Sequence, residues 1–176
     1  MFQKLSIFVL FLGITNSFAA ESDDSLVRFR GGIGVIPVSA AAGAANADGT
    51  SPAVTRNVVR GINPPGQIWV IADLSAEIAV DGHIRVKGKG LLLAGGNAIG
   101  FVGGQSVFAT LICEAAAPFT LHNTTLTGVP LQPNGDFQID DVLTPAPAAC
   151  ASPVLLIRNL GGAWFAAGIP ALEKHD

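Results

Sequence analysis

The chain has 176 residues, a formal charge of −3 and only 13% charged side chains, with 21 Gly, 11 Pro, no Tyr and 49% apolar residues. A mildly acidic balance excludes the basic footprint of a nucleic-acid binder and of a protein held on anionic lipid. So few charges, with so much Gly, Pro and Ala, point to many short strands and turns, and a low-charge surface leaves self-association open.

The first residues read as an export signal. Lys4 supplies a positive start, Leu5 to Ile14 is an apolar run too short to span a bilayer, and Ser17 and Ala19 suit cleavage after Ala19. Residues 1–19 are therefore expected to be removed, leaving 20–176 as one domain with no membrane insertion after cleavage, secreted or periplasmic. Two cysteines, Cys113 and Cys150, then read as one disulfide; the alternatives are a pair of free thiols or a metal site, for which two thiols with no nearby His are a poor zinc set.

"VRFRGGIGVIPVS" predicts a first strand broken by glycines. Residues 40–53 lack bulky side chains and read as a flexible loop. "VTRNVVRGI" predicts a second strand, ended by the turn "NPPG".

From Val70 to Val80 apolar and polar residues alternate, which is the period of a half-buried strand. The next stretch repeats it, with Ile84 and Val86 on one side and His83, Arg85, Lys87 and Lys89 on the other. The two apolar faces coincide only if paired positions sum to an even number. A three-residue loop, Val80-Asp81-Gly82, with Gly82 in the left-handed region, satisfies this. It pairs Ile78 with Ile84 and Ala76 with Val86. On the outer face it sets Glu77 opposite Arg85, Ser75 opposite Lys87, and Asp73 opposite Lys89. The basic stripe is thus expected to be a solvated polar face; a polyanion site is the alternative, which the facing carboxylates disfavour.

"SVFATLICEAA" predicts a buried strand and "FTLHNTTLTG" a weaker one. "VPLQPNGDFQIDDV" repeats the hairpin pattern: a Pro133-Asn134-Gly135 loop pairs Gln132 with Asp136 and Leu131 with Phe137, with Val129 and Ile139 on one face. "VLLIRN" and "AWFAAGI" form a last apolar hairpin around "LGG". The chain has eight to ten predicted strands and no predicted helix after the signal. It is all-β and antiparallel, a two-sheet β-sandwich with Greek-key connections or, alternatively, a closed β-barrel.

Motifs for chemistry are sparse. His83, His122 and His175 have no His-x-His spacing, and no Gly-x-Ser-x-Gly elbow is present. Asn134, Asp136 and Asp140, with Asp141 beside them, carry oxygen ligands for Ca²⁺ but match no calcium-loop spacing, and turn and strand roles account for them. Asp73 and Glu77 are of the type used in glycoside hydrolysis, yet a basic strand opposite holds both ionised, which is wrong for the acid partner. Gly95 to Gly104 lacks the Gly-Lys-Ser/Thr ending of a phosphate loop. Trp69 and Trp164 sit beside apolar runs and read as packing residues. "NTT" at Asn123 is a glycosylation acceptor in a eukaryotic host. No catalytic residue, cofactor or metal is assigned.

"RFRGGIGVIPVS", "VVRGINPPGQIWVIADL", "DGHIRVKGKGLLLAGGNAIG", "VFATLIC", "GDFQIDDVL" and "PVLLIRN…WFAAGIP" resemble a family of uncharacterised bacterial exported proteins over nearly all of 20–176. The resemblance implies an exported bacterial protein and no particular activity. The expected function is that of a non-enzymatic module, binding a protein or surface partner or serving structurally in the envelope or extracellular space. The alternative is a small exported hydrolase with a scattered carboxylate and His site.

Overall fold

A computed structural model describes residues 24–38, 47–48 and 55–171. The expected signal at 1–19, most of the loop at 40–53, and His175 lie outside the described residues. Within them the structure is strand and turn, without helix.

The long strands are β1 (Ser25–Gly34), β3 (Asp73–Ala79), β4 (His83–Lys89), β6 (Ser106–Ile112), β9 (Phe137–Val142), β10 (Val154–Asn159) and β11 (Trp164–Pro170). Two-residue strands complete the set: β2 (Trp69–Val70), β5 (Leu92–Leu93), β7 (His122–Asn123) and β8 (Val129–Pro130). One antiparallel sheet runs β7-β6-β10-β11-β1-β3-β4-β9, with β8 also on β6; β2 and β5 pair separately. The ends of this sheet meet. Asn123 in β7 and Thr144, just past β9, exchange both backbone hydrogen bonds, at 3.0 and 2.8 Å. The protein is therefore an all-β, antiparallel domain whose main sheet is a nearly closed barrel. Of the two expected architectures this is the barrel. Strand β11 hydrogen-bonds both β10 and β1, and so joins what two facing sheets would keep apart.

Two kinds of strand build the wall. β3, β4 and β9 alternate buried and exposed residues, and their inner face carries Leu74, Ala76, Ile78, Ile84, Val86, Phe137 and Ile139. Each larger side chain among these contributes roughly 1.5–3 kcal/mol on burial. β6, β10 and β11 are instead buried at consecutive positions, so both their faces are covered. Part of the outer cover is the segment 55–70. Trp164 donates its Nε1–H to the Asn57 carbonyl at 2.9 Å, and the Trp69 ring stacks on Phe165 at 4.0 Å. Both tryptophans are packing residues, as expected.

That segment is a correction. "VTRNVVRGI" forms no strand among its described residues; it makes isolated bridges, Arg56 with Val38 and Val59 with Ile62, the second around a tight turn in which Arg60 (φ 48°) and Gly61 are left-handed. A second correction concerns Pro133-Asn134-Gly135. The turn forms, with Gly135 N–H donating to Gln132 O and Gln132 N–H to Asp136 O. The arms then separate, because β8 pairs β6 and β9 pairs β4. The two apolar arms serve opposite margins of the nearly closed sheet instead of each other.

The hairpin of β3 and β4 has the expected register in every pair: Ile78 with Ile84, Glu77 with Arg85, Ala76 with Val86, Ser75 with Lys87 and Asp73 with Lys89. Gly82 lies at φ +87°, the left-handed position that the three-residue loop requires. Cys113 and Cys150 are bonded, tying the end of β6 to the Pro-rich link before β10.

Candidate functional site

The outer face of β1, β3, β4 and β9 is the part of the barrel wall whose side chains reach solvent in ordered rows. Register alone builds the rows. Arg28 lies beside Glu77, Glu77 beside Arg85, and Arg85 beside Asp140. The signs alternate across four strands. Arg28 donates to Glu77 Oε1 from Nε at 3.3 Å and from Nη2 at 3.2 Å. Arg85 Nε donates to Asp140 Oδ2 at 3.4 Å, and His83 Nε2 lies 2.6 Å from Asp140 Oδ1, donating to the carboxylate. The His83 bond, opposed by desolvation and followed by Arg85, holds the Asp140 carboxyl below its ordinary pKa.

The next row is different. Arg30 lies beside Ser75, Ser75 beside Lys87, and Lys87 beside Gln138, with no carboxylate among them. The third row pairs Asp73 with Lys89. Beyond it, Asp136 accepts from Gly90 N–H at 3.1 Å and from Asn134 Nδ2 at 2.9 Å.

Two concavities meet at Lys87. One, about 190 Å³, is lined by Arg30, Ser75, Glu77, Arg85 and Lys87. The other, about 410 Å³, runs along the seam where β8 and β9 diverge, between Lys87, Lys89, Gln138, Asp136, Gln132 and Pro130. Gly88 also lines it, although its missing side chain would point to the inner face of β4. A Cβ there would stand 2.0 Å from the Phe137 ring, so glycine lets the ring lie flat on the strand.

The structure gathers some expected residues and separates others. Asp73, Glu77, His83, Arg85, Lys87 and Lys89 share the outer wall. Glu77 and Arg85 are cross-strand neighbours, yet their charged ends engage Arg28 and Asp140. Asn134 and Asp136 bond to each other in the turn (Asp136 N–H to Asn134 Oδ1, 3.1 Å), while Asp140 is taken by His83 and Arg85. His122 is buried elsewhere and donates from Nδ1 to the Pro145 carbonyl at 2.6 Å. Asp141 accepts from the Thr125 and Val142 amides at 2.7 and 2.8 Å; these bonds outweigh desolvation and lower its pKa. The Asn123 amide accepts from Thr110 Oγ1 at 2.7 Å. Gly95 to Gly104 folds back as a turn, with Leu93 and Phe101 hydrogen-bonded.

Arg28, Arg30 and Gln138 were not singled out from sequence. The signal was there in "RFR", where two arginines flank a Phe29 that is fully buried. Which strand would stand beside them was not readable, because β1 reaches its neighbours from far along the chain.

The fold and wall define a class: a disulfide-linked, nearly closed antiparallel β-barrel with a polar, grooved outer face. No protein-family model matches the chain, and neither a curated protein nor a solved structure does.

Proposed function

We propose that the protein is a non-enzymatic exported module that binds a protein or surface partner across the outer wall of β1, β3, β4 and β9. The observation that carries this reading is the pair of concavities meeting at Lys87, both lined by polar side chains, the larger also by Val129, Pro130 and the edge of Phe137. Binding sites combine apolar lining with a few placed polar groups. The buried surface of the barrel supports the wall rigidly, since every inner residue of β4 from Ile84 to Gly88 is packed. Export to the periplasm or the extracellular space is supported by the Cys113–Cys150 bond, which is characteristic of oxidising compartments.

A photoreactive residue placed at Gln138, and another at Leu160 on the exposed turn after β10, tests the wall in cells exporting the protein. A discrete adduct from position 138 and none from position 160 is expected. Equal adducts from both, or none from position 138, would overturn the reading.

The hydrolase reading has one observation in its favour, the His83–Asp140 pair at 2.6 Å, since a carboxylate that orients an imidazole is half of a general-base arrangement. Purified protein assayed on chromogenic esters, phosphates and glycosides separates the two. Turnover lost in both His83→Ala and Asp140→Asn would replace the binding module with an enzyme.

A further inference from the structure

We infer that the row Arg30–Ser75–Lys87 is an oxyanion site, taking one phosphate or sulfate group; this rests on reading the wall as the binding face and names the chemistry it recognises. Adjacent same-face side chains on neighbouring strands start about 5 Å apart. Arg30 and Lys87 therefore rise on either side of Ser75, roughly 10 Å from each other, and both are long enough to converge above its hydroxyl. The concavity of about 190 Å³ lies there, with Glu77 and Arg85 of the neighbouring row also on its wall.

Three facts distinguish this row from an ordinary wet strand face. The first is charge: the row Arg30–Ser75–Lys87–Gln138 holds two cations, two neutral residues and no carboxylate. The second is the state of the nearest carboxylates. Glu77 is held by Arg28, and Asp140 by His83 and Arg85, so their charge is already committed sideways along the neighbouring row. The third is that the donors of this row are unspent. Among the described residues, no hydrogen bond or ion pair engages the Arg30 guanidinium, the Ser75 hydroxyl or the Lys87 ammonium. A tetrahedral oxyanion would accept two parallel bonds from the arginine fork, one from the lysine and one from the serine.

The flanking rows limit the ligand to a single anionic group. Glu77 and Asp140 stand on one side, and Asp73 and Asp136 on the other. A second phosphate or sulfate of a polymer would meet rows whose cations, Arg28, Arg85 and Lys89, are matched by carboxylates in either direction along the strands. The row accordingly suits a terminal or isolated oxyanion, which a mildly acidic chain can hold.

The test is an amide-resolved NMR titration of the disulfide-bonded protein with sodium sulfate, replacing sodium chloride at constant ionic strength. Saturable shifts at Arg30, Ser75 and Lys87 are expected, with a midpoint on the order of 1 mM for an exposed site. Arg30→Gln and Lys87→Gln should each weaken the midpoint by about tenfold, the loss of one charge-assisted partner. Arg60→Gln, a cation on the 55–70 segment outside the wall, should leave it within about twofold. Shifts that rise linearly without saturation, or a Lys87→Gln midpoint equal to wild type, would overturn the site. Methyl phosphate binding like inorganic phosphate assigns the site to a ligand's terminal group, and inorganic phosphate alone assigns it to the free ion; both outcomes uphold oxyanion recognition. A silent sulfate titration beside an intact cross-link at position 138 would remove the oxyanion and leave the binding wall standing. Saturable sulfate binding without that cross-link would do the reverse.

Discussion

Gly82→Val probes the turn on which the outer wall depends. Gly82 sits at φ +87°, where a side chain costs about 1–3 kcal/mol in backbone strain, and β-branching puts valine at the upper part of that range. The new Cβ would stand 3.2 Å from the Ala146 Cβ, tighter than ordinary contact. Relieving that contact moves Gly82 against its own hydrogen bonds, N–H to Ala79 O at 3.0 Å and carbonyl from Leu143 N–H at 2.9 Å. Each bond weakened is worth about 0.5–1.5 kcal/mol. The sum is about 3 kcal/mol. At a urea dependence of about 2 kcal/mol/M, the unfolding midpoint should fall by about 1.5 M. The buried Trp69 and Trp164 supply the fluorescence signal. Gly82→Asn should cost about 1 kcal/mol, since Asn tolerates the left-handed region. Valine at Gly66, which has neither positive φ nor a neighbour within 4 Å of its would-be Cβ, is the control and should cost far less. A Gly82→Val variant within about 0.5 kcal/mol of wild type would refute the reasoning.

Removing the disulfide by Cys113→Ser with Cys150→Ser should lower stability by about 2–5 kcal/mol, read from urea midpoints with and without reductant; the bond closes a sequence separation of 37 residues. Asp140 has a lowered native pKa, chiefly through its bond from His83, so the unfolded chain takes up its proton first on acidification. Its contribution is present above the ordinary aspartate range and is lost as pH falls through the lowered native value. The gap in urea midpoint between wild type and Asp140→Asn should therefore close on acidification through that window, and a gap independent of pH would remove the linkage.

The hairpin of β3 and β4 was legible residue by residue because one face is wet and the other buried, so burial admits one register and a one-residue slip inverts every side chain. The fold class was legible from the same alternation and from the turn residues. The sheet order was not. β6, β10 and β11 are apolar on both faces, and a run such as "SVFATLI" carries no period to say which side meets what. "VTRNVVRGI" misled for a related reason: its valines pack under a turn as well as in a strand, and the left-handed Arg60 has no sequence signature. The candidate wall was half visible. Its β3 and β4 residues followed from local pairing, whereas Arg28, Arg30 and Asp140 join it through long-range neighbours, and the meeting of His83 with Asp140 spans 57 residues.

The binding wall stands or falls on one comparison: the cross-link yield from a photoreactive residue at Gln132, on the rim of the larger groove, with and without Lys87→Glu. Lys87 is exposed and has no ion-pair partner among the described residues, so its reversal should shift the urea midpoint by no more than about 0.5 kcal/mol equivalent. If the wall binds through the two concavities that meet at Lys87, the yield should fall by about tenfold, the effect of placing a like charge against a complementary partner. An unchanged yield in an equally stable variant would contradict it.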